Sequence, residues 1–165
     1  MIDSLVLTKK FGNTLPTNHL SIYNKNTYKQ DYIATMLDGT RTLGIKFMRK
    51  KIAPYQRLRV GDIIYLKEAS GPIRGRVRVS SVDHKEITDP DEIMEFLSAH
   101  IEAIGIQNDS QLMDIWRANM ASRYMSWWTM EKPEIVTSPV FIHKTDRRAW
   151  IAGFAVPDAV LVEFL

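Results

Sequence analysis

Two strand-forming runs around a short turn, residues 61–82 (GDIIYLKEASGPIRGRVRVSSV), narrow the fold more than any other stretch of this chain. GDIIYLKE opens after the turn Val60-Gly61-Asp62, and RGRVRVSSV resumes after the Ser70-Gly71-Pro72 turn. The pair predicts a β-hairpin with a loop slightly longer than the tightest types. Within the second run Arg74, Arg76 and Arg78 alternate with residues that include Val77 and Val79. A strand therefore sends the arginines to one face and the valines to the other. Earlier strands are expected at 19–23 (HLSIY) and 42–47 (TLGIKF). In the latter, Leu43, Ile45 and Phe47 share one side, with Gly44 and Lys46 on the other. The chain is expected to return to strands at about 125–130, 135–142, 148–153 and 160–164.

Helical periodicity separates these groups of strands. Tyr28 to Leu37 predicts a helix with Tyr32, Ile33, Met36 and Leu37 on one face, ended by Gly39 in a left-handed cap. Asp89 is the expected N-cap of a second helix, with Pro90 first in the helix and Glu92 completing a capping box. Its stripe is Ile93, Phe96, Leu97, Ile101 and Ile104, closed by Gly105. A third helix starts near Asn108 and is expected to bury Leu112, Ile115, Trp116 and Met120. Consecutive hairpin strands with segregated helices indicate an α+β fold rather than a doubly wound sheet. The architecture expected is a mixed barrel, or strongly curved sheet, with flanking helices and a helical insert at about 89–124. Residues 1–17 read as an N-terminal extension and 18–165 as one domain, within the ~100–200 residues usual for a domain.

Charge is divided unevenly along the chain. Residues 1–80 hold 15 Lys/Arg against 5 Asp/Glu, and residues 81–165 hold 7 against 14. A basic half looks toward a polyanion, unless the two halves pack together and neutralise each other. There is no cysteine, hence no disulfide framework and no thiolate metal site. His19, His84, His100 and His143 lack metal-ligand spacing, so no metal is expected. No phosphate-binding glycine motif is present and no cofactor is called for. No apolar run approaches the ~18 residues of a membrane span, and the N-terminal residues lack the order of a secretory signal. A cytoplasmic protein with no membrane partner is expected.

The stretch HLSI…YIATMLDGTRTLGIKF…VGDIIYLKEASGPIRGRVRV resembles the ASCH domains, a branch of the PUA-like β-barrel superfamily. The resemblance spans residues 18–82, and DRRAWI continues it near the C-terminus. It implies a PUA-like mixed β-barrel and an RNA or nucleoside-type ligand. Against the family signature G-x-K-x-x-E-x-R, Gly39 matches, Arg41 stands for the lysine, Gly44 for the glutamate and Lys46 for the arginine. Some relatives hydrolyse an acetylated cytidine with a lysine, a threonine three residues on and a glutamate from a later strand. Here those places fall on Arg41, Gly44 and, by a looser match, Glu68. A guanidinium stays protonated and cannot shuttle a proton as a lysine does.

Two classes of function follow. The first is RNA binding: Arg41 and Lys46 would line a cleft, and the loop Arg49, Lys50, Lys51, Arg57 and Arg59 would grip phosphates while Tyr55 stacks on a base. The ladder Arg74, Arg76, Arg78, with guanidinium groups roughly 7 Å apart, would follow the backbone. The plainer readings are a solubilising loop and a sheet face whose arginines pair with acids from 83–95. The second class is a hydrolase acting on a modified nucleoside or on RNA, with Glu68 and Lys46 as candidate catalytic residues. The acidic helices could instead meet a protein partner. Of Trp127 and Trp128, one is expected in the core and the other beside a pocket.

Overall fold

Long-range pairing begins with the expected hairpin. In the computed structural model, which describes residues 15–24, 30–144 and 146–165, β3 (Ile63–Glu68) and β4 (Ile73–Glu86) pair antiparallel. Most of the proposed N-terminal extension and the start of the helix predicted from Tyr28 lie outside the described residues. The remaining strands are β1 (Asn18–Tyr23), β2 (Leu43–Met48), β5 (Tyr124–Val140) and β6 (Trp150–Ala152). Together they form one mixed sheet in the order β2-β5-β4-β3-β1-β6. Only β1 and β3 run parallel, because the chain between them passes through a helix, β2 and the basic loop. Among the described residues the helices are α1 (Tyr32–Leu37), α2 (Asp91–Ala99), α3 (Ile101–Ile104), α4 (Asp109–Asn119) and α5 (Asp158–Leu161), the last followed by a 3₁₀ turn over Val162–Phe164. The class is α+β, as expected.

Curvature comes from β4 and β5. Their pairing shifts register between Ile73 and Gly75, between Arg76 and Arg78, and between Val79 and Ser81. Each such irregularity bends the strand and increases its twist. The sheet curls into a half-barrel, and its inner face is filled by Ile64, Leu66, Val77, Val79, Trp128 and Trp150 together with Ile33, Met36 and Leu37 of α1. Gly75 marks where helix and sheet meet most closely. A Cβ there would lie 2.4 Å from the Glu134 carbonyl oxygen and 2.6 Å from a Leu37 methyl.

The helical insert α2–α4 covers the other face of β2 and β5. Leu43 and Met125 pack there with Ile93, Leu97, Ile104, Ile106 and Ile115, and Trp127 joins from its side of β5. A third cluster places Val160, Phe154 and Phe164 of the C-terminal segment against Leu20 and Tyr65. Beneath the sheet, Asp62 accepts from His19 Nε2 (2.8 Å), from the Thr17 N–H (2.9 Å) and from the Arg59 N–H (3.0 Å). The Trp150 indole donates to His19 Nδ1 (3.1 Å), so the ring proton sits on Nε2. This buried chain of donors ties β6 to β1 and to the turn before β3.

Several elements depart from the sequence-based expectation. The strands predicted at 125–130 and 135–142 are one continuous β5, and 148–153 contracts to β6. Residues expected as a strand at 160–164 are helical instead. Pro157 starts a turn in which Val160 and Phe164 reach one face, and a short apolar run carries no periodicity to distinguish the two outcomes. The long stripe from Ile93 breaks at His100, whose φ of −129° ends α2, and Ile101 is left exposed. Met120 is exposed rather than buried. Glu92 reaches back to the N–H of Thr88 (3.0 Å), one residue before the expected cap. Gly39 takes the left-handed conformation expected of it (φ 82°), and Gly105, which ends its helix as expected, is left-handed as well (φ 81°).

Gly75→Ala is expected to destabilise the fold by ~1–3 kcal/mol, because the new methyl group meets a backbone carbonyl that cannot rotate away. Urea unfolding followed by circular dichroism measures it, and an unchanged midpoint would show that the strands separate freely at this point.

Candidate anion-binding cleft

The half-barrel does not close by hydrogen bonds: β2 ends one side of the sheet and β6, beside β1, ends the other. Between β1 and the free edge of β2 lies a cavity of about 240 Å³. Its walls come from Ser21, Tyr23 and Asn24, from Tyr32 and Arg41, from Ile45, Lys46 and Phe47, and from Trp128, with Leu97, Ile104, Ile115 and Asn119 of the insert. An edge strand exposes both of its faces to such a gap. Lys46 therefore reaches it from one side, and Ile45 and Phe47 from the other.

Gly44 explains the depth. It pairs with Trp128 across β2 and β5, and a Cβ at Gly44 would lie 2.2 Å from the Trp128 ring. The indole occupies the volume that any side chain would need. Trp128 is 1% exposed and packs edge-on against Trp150, their ring centres 5.3 Å apart. Among the described residues its Nε1–H has no hydrogen-bond acceptor. A buried donor left so costs ~1–3 kcal/mol.

Arg41 is buried, 5% exposed. Its Nε donates to the Leu43 carbonyl (3.0 Å), and its guanidinium lies 4.4 Å above the centre of the Tyr32 ring. No carboxylate ion-pairs with Arg41 or Lys46 among the described residues. Burial pushes both groups below their ordinary values; for Arg41 the charges of Tyr23 and Tyr32 oppose the shift. The cavity thus presents a guanidinium and an ammonium with no carboxylate paired to them among the described residues, and the Trp128 indole stands in its wall. Such a lining suits a ligand that brings negative charge and hydrogen-bond acceptors.

The other candidate residues divide into three groups. Arg49, Lys50, Lys51, Arg57 and Arg59 follow directly from β2, are exposed, and have no ion pair among the described residues. Their loop is not loose. His84 receives the Gln56 N–H at Nδ1 (3.1 Å) and lies 3.2 Å from the Leu58 carbonyl through Nε2. Tyr55 is buried between His84 and Tyr124, so its ring faces are occupied by neighbours and are not offered to a base.

The ladder expected from alternation is broken: Arg76 and Arg78 share the face of β4 away from the cavity, whereas the register shift between Ile73 and Gly75 turns Arg74 toward the start of α1. Val77 and Val79 point into the core shared with Trp128. Arg74 binds Asp31 (2.8 Å) and Glu68 (3.2 Å). Arg76 binds Glu134 (2.9 Å), donates to the Tyr65 hydroxyl (3.2 Å) and lies 4.1 Å over the Phe164 ring. Arg78 stands farther along the same face, next to Lys132 and Glu134. The acids that pair with Arg74 and Arg76 come from α1, β3 and β5 rather than from 83–95. Glu68 is outside the cavity, held by Arg74, and a Cβ on Gly71 would come within 2.6 Å of its carboxylate. Among the described residues no cluster of His, Asp and Glu could hold a metal ion, and no helix is long and apolar enough to cross a membrane.

Sequence reasoning singled out Arg41 and Lys46 but not Ser21, Tyr23, Tyr32 and Asn119. Nothing in the local pattern of those residues marks them, since only the curl of the sheet brings them to one gap.

No protein-family model matches the chain, and no curated protein matches it in sequence. Solved structures do match. The ASCH protein of Zymomonas mobilis superimposes with a TM-score of 0.58 at 6% identity, over 89% of this chain and 92% of that one. A single-substitution mutant of it gives 0.51 at 8% identity, over 74% of each chain. The chain has the ASCH fold, of the PUA-like type, and at this identity the likeness is one of fold.

Lys46→Met is expected to raise the melting temperature near neutral pH, because it removes a charge that burial disfavours. In the unsubstituted protein, stability rises with pH from the lowered folded value of Lys46 up to about 10.4, the unfolded value, as the folded chain sheds that proton first. Thermal melts at rising pH measure both effects, and a melting temperature lowered by Lys46→Met would assign the lysine a structural partner.

Proposed function

We propose that the protein binds nucleic acid, RNA in particular, through the cleft between β1 and β2 and the basic loop that leaves β2. The observation that carries this reading is the pair of cations in the cavity, Arg41 and Lys46, facing no carboxylate among the described residues. Keeping such charges out of water is unfavourable until a ligand supplies the counter-charge. Beyond them, Arg49, Lys50 and Lys51 extend the positive surface about 10 Å farther along the chain. A polyanion meets charge at both places, whereas a small neutral ligand would use neither. The ASCH fold agrees with this reading by analogy of fold alone.

The ladder contributes less on this account. Arg74 and Arg76 already hold carboxylates, and a phosphate would have to displace them. A hydrolase reading with Glu68 as acid or base has no geometric support, because that carboxylate lies away from Arg41 and Lys46.

Neutralising Arg49, Lys50 and Lys51 together is expected to reduce the slope of log affinity against log salt by about 2 for single-stranded RNA, at ~0.7 per phosphate contact. The same experiment on Arg74 and Arg76 should change the slope less. Filter binding of labelled RNA at several salt concentrations measures it. A slope unaffected by the loop substitutions would remove the loop from the interface.

A further inference from the structure

We propose that the cleft receives a phosphomonoester at the end of a nucleic-acid strand, in preference to an internal phosphodiester or a base. This rests on the nucleic-acid reading above and identifies the group that enters the cavity. The charged groups that line it are both cationic, the Arg41 guanidinium and the Lys46 ammonium. Beside them stand the hydroxyls and amides of Ser21, Tyr23, Asn24, Tyr32 and Asn119 and the buried Trp128 indole, whose Nε1–H has no acceptor among the described residues. A base presents donors as well as acceptors and carries no charge, so it would leave both cations uncompensated. An internal phosphodiester carries one negative charge, but a phosphomonoester carries about 1.5 to 2 at pH 7. The second matches one guanidinium plus one ammonium.

Depth points the same way. Arg41 is 5% exposed and Trp128 1%, so these side chains sit at the bottom of a space of about 240 Å³. An internal phosphate reaching them would need room for the chain to enter and to leave. A terminal phosphate needs one path, and the exposed cations after β2 offer the rest of the strand a place to lie. The Trp128 indole sets how deep the site is. Gly44 exists in the form the site needs, because any side chain there would displace that indole.

The test compares one single-stranded RNA sequence with a 5′-phosphate, with a 3′-phosphate and with hydroxyls at both ends, alongside a free nucleoside monophosphate, by calorimetry at fixed salt. A phosphate at one end is expected to tighten binding by roughly 10- to 100-fold, the range of charge-assisted hydrogen bonds to a doubly charged group. Raising the pH from 5 to 7 should increase the preference as the phosphate loses its second proton at about pH 6. Lys46→Met, which removes one of the two matching charges, should erase most of the preference, and Arg41→Gln provides a second variant if Lys46→Met fails to fold, which circular dichroism reports. Equal affinity for all three oligonucleotides would overturn the inference while leaving strand binding intact. Binding of the nucleoside monophosphate without the oligonucleotides would leave the phosphomonoester site standing and overturn the strand reading. Binding of none of them would overturn both.

Discussion

The contact between the Trp128 indole and the backbone of Gly44 holds the organisation of this molecule together. It joins β2 to β5 at the side of the sheet where the barrel is open, and it extends the inner core toward the gap. Through Trp150, edge-on to Trp128, the same contact connects with His19 and Asp62 on the opposite side of the half-barrel. A larger residue at position 44 would force the indole out, and with it the floor of the cavity. Position 44 therefore carries a packing requirement, since the Trp128 indole fills the volume a side chain there would need.

Glycine at position 44 also bears on the charge of the cleft. A carboxylate there would stand on the same side of β2 as Lys46 and would neutralise one of the two cations, and glycine supplies no such group. Burial lowers the proton affinity of Lys46 and disfavours the charge of Arg41. The neighbouring arginines of β4 follow the opposite rule. Arg76 gains from Glu134, from the Tyr65 hydroxyl and from the Phe164 ring, and it closes the C-terminal segment over the sheet.

The division of charge along the chain thus resolves into three populations with different surroundings. Arg41 and Lys46 face the cavity, the loop cations after β2 face water, and Arg74 and Arg76 face carboxylates. Acids from both halves of the chain take part in the last group, Asp31 and Glu68 from the basic half and Glu134 from the acidic half. The acidic insert pairs little with the basic strands. Lys85 with Glu92, 3.5 Å apart, is such a link, and it is exposed.

Much of this was legible in the amino-acid order because it depends on near neighbours. Alternation in 76–79 defined the two faces of that part of β4, Gly39 marked a left-handed end, and the leucines and isoleucines of the insert announced which helix faces would be buried. Such signals act over two to four residues, the reach of a strand's pleat or a helix's turn. The C-terminal helix at 158–161 escaped notice because so short an apolar run fits either period. Tyr55 was legible as an aromatic among cations, but its burial depends on His84 and Tyr124, far along the chain. Sequence by itself determined the α+β class, the hairpin and the location of the basic residues. Only the tertiary structure decided which cations would be left without a partner, because the curl of the sheet sets Ser21 beside Lys46 and Asp31 beside Arg74 through contacts that no local pattern encodes.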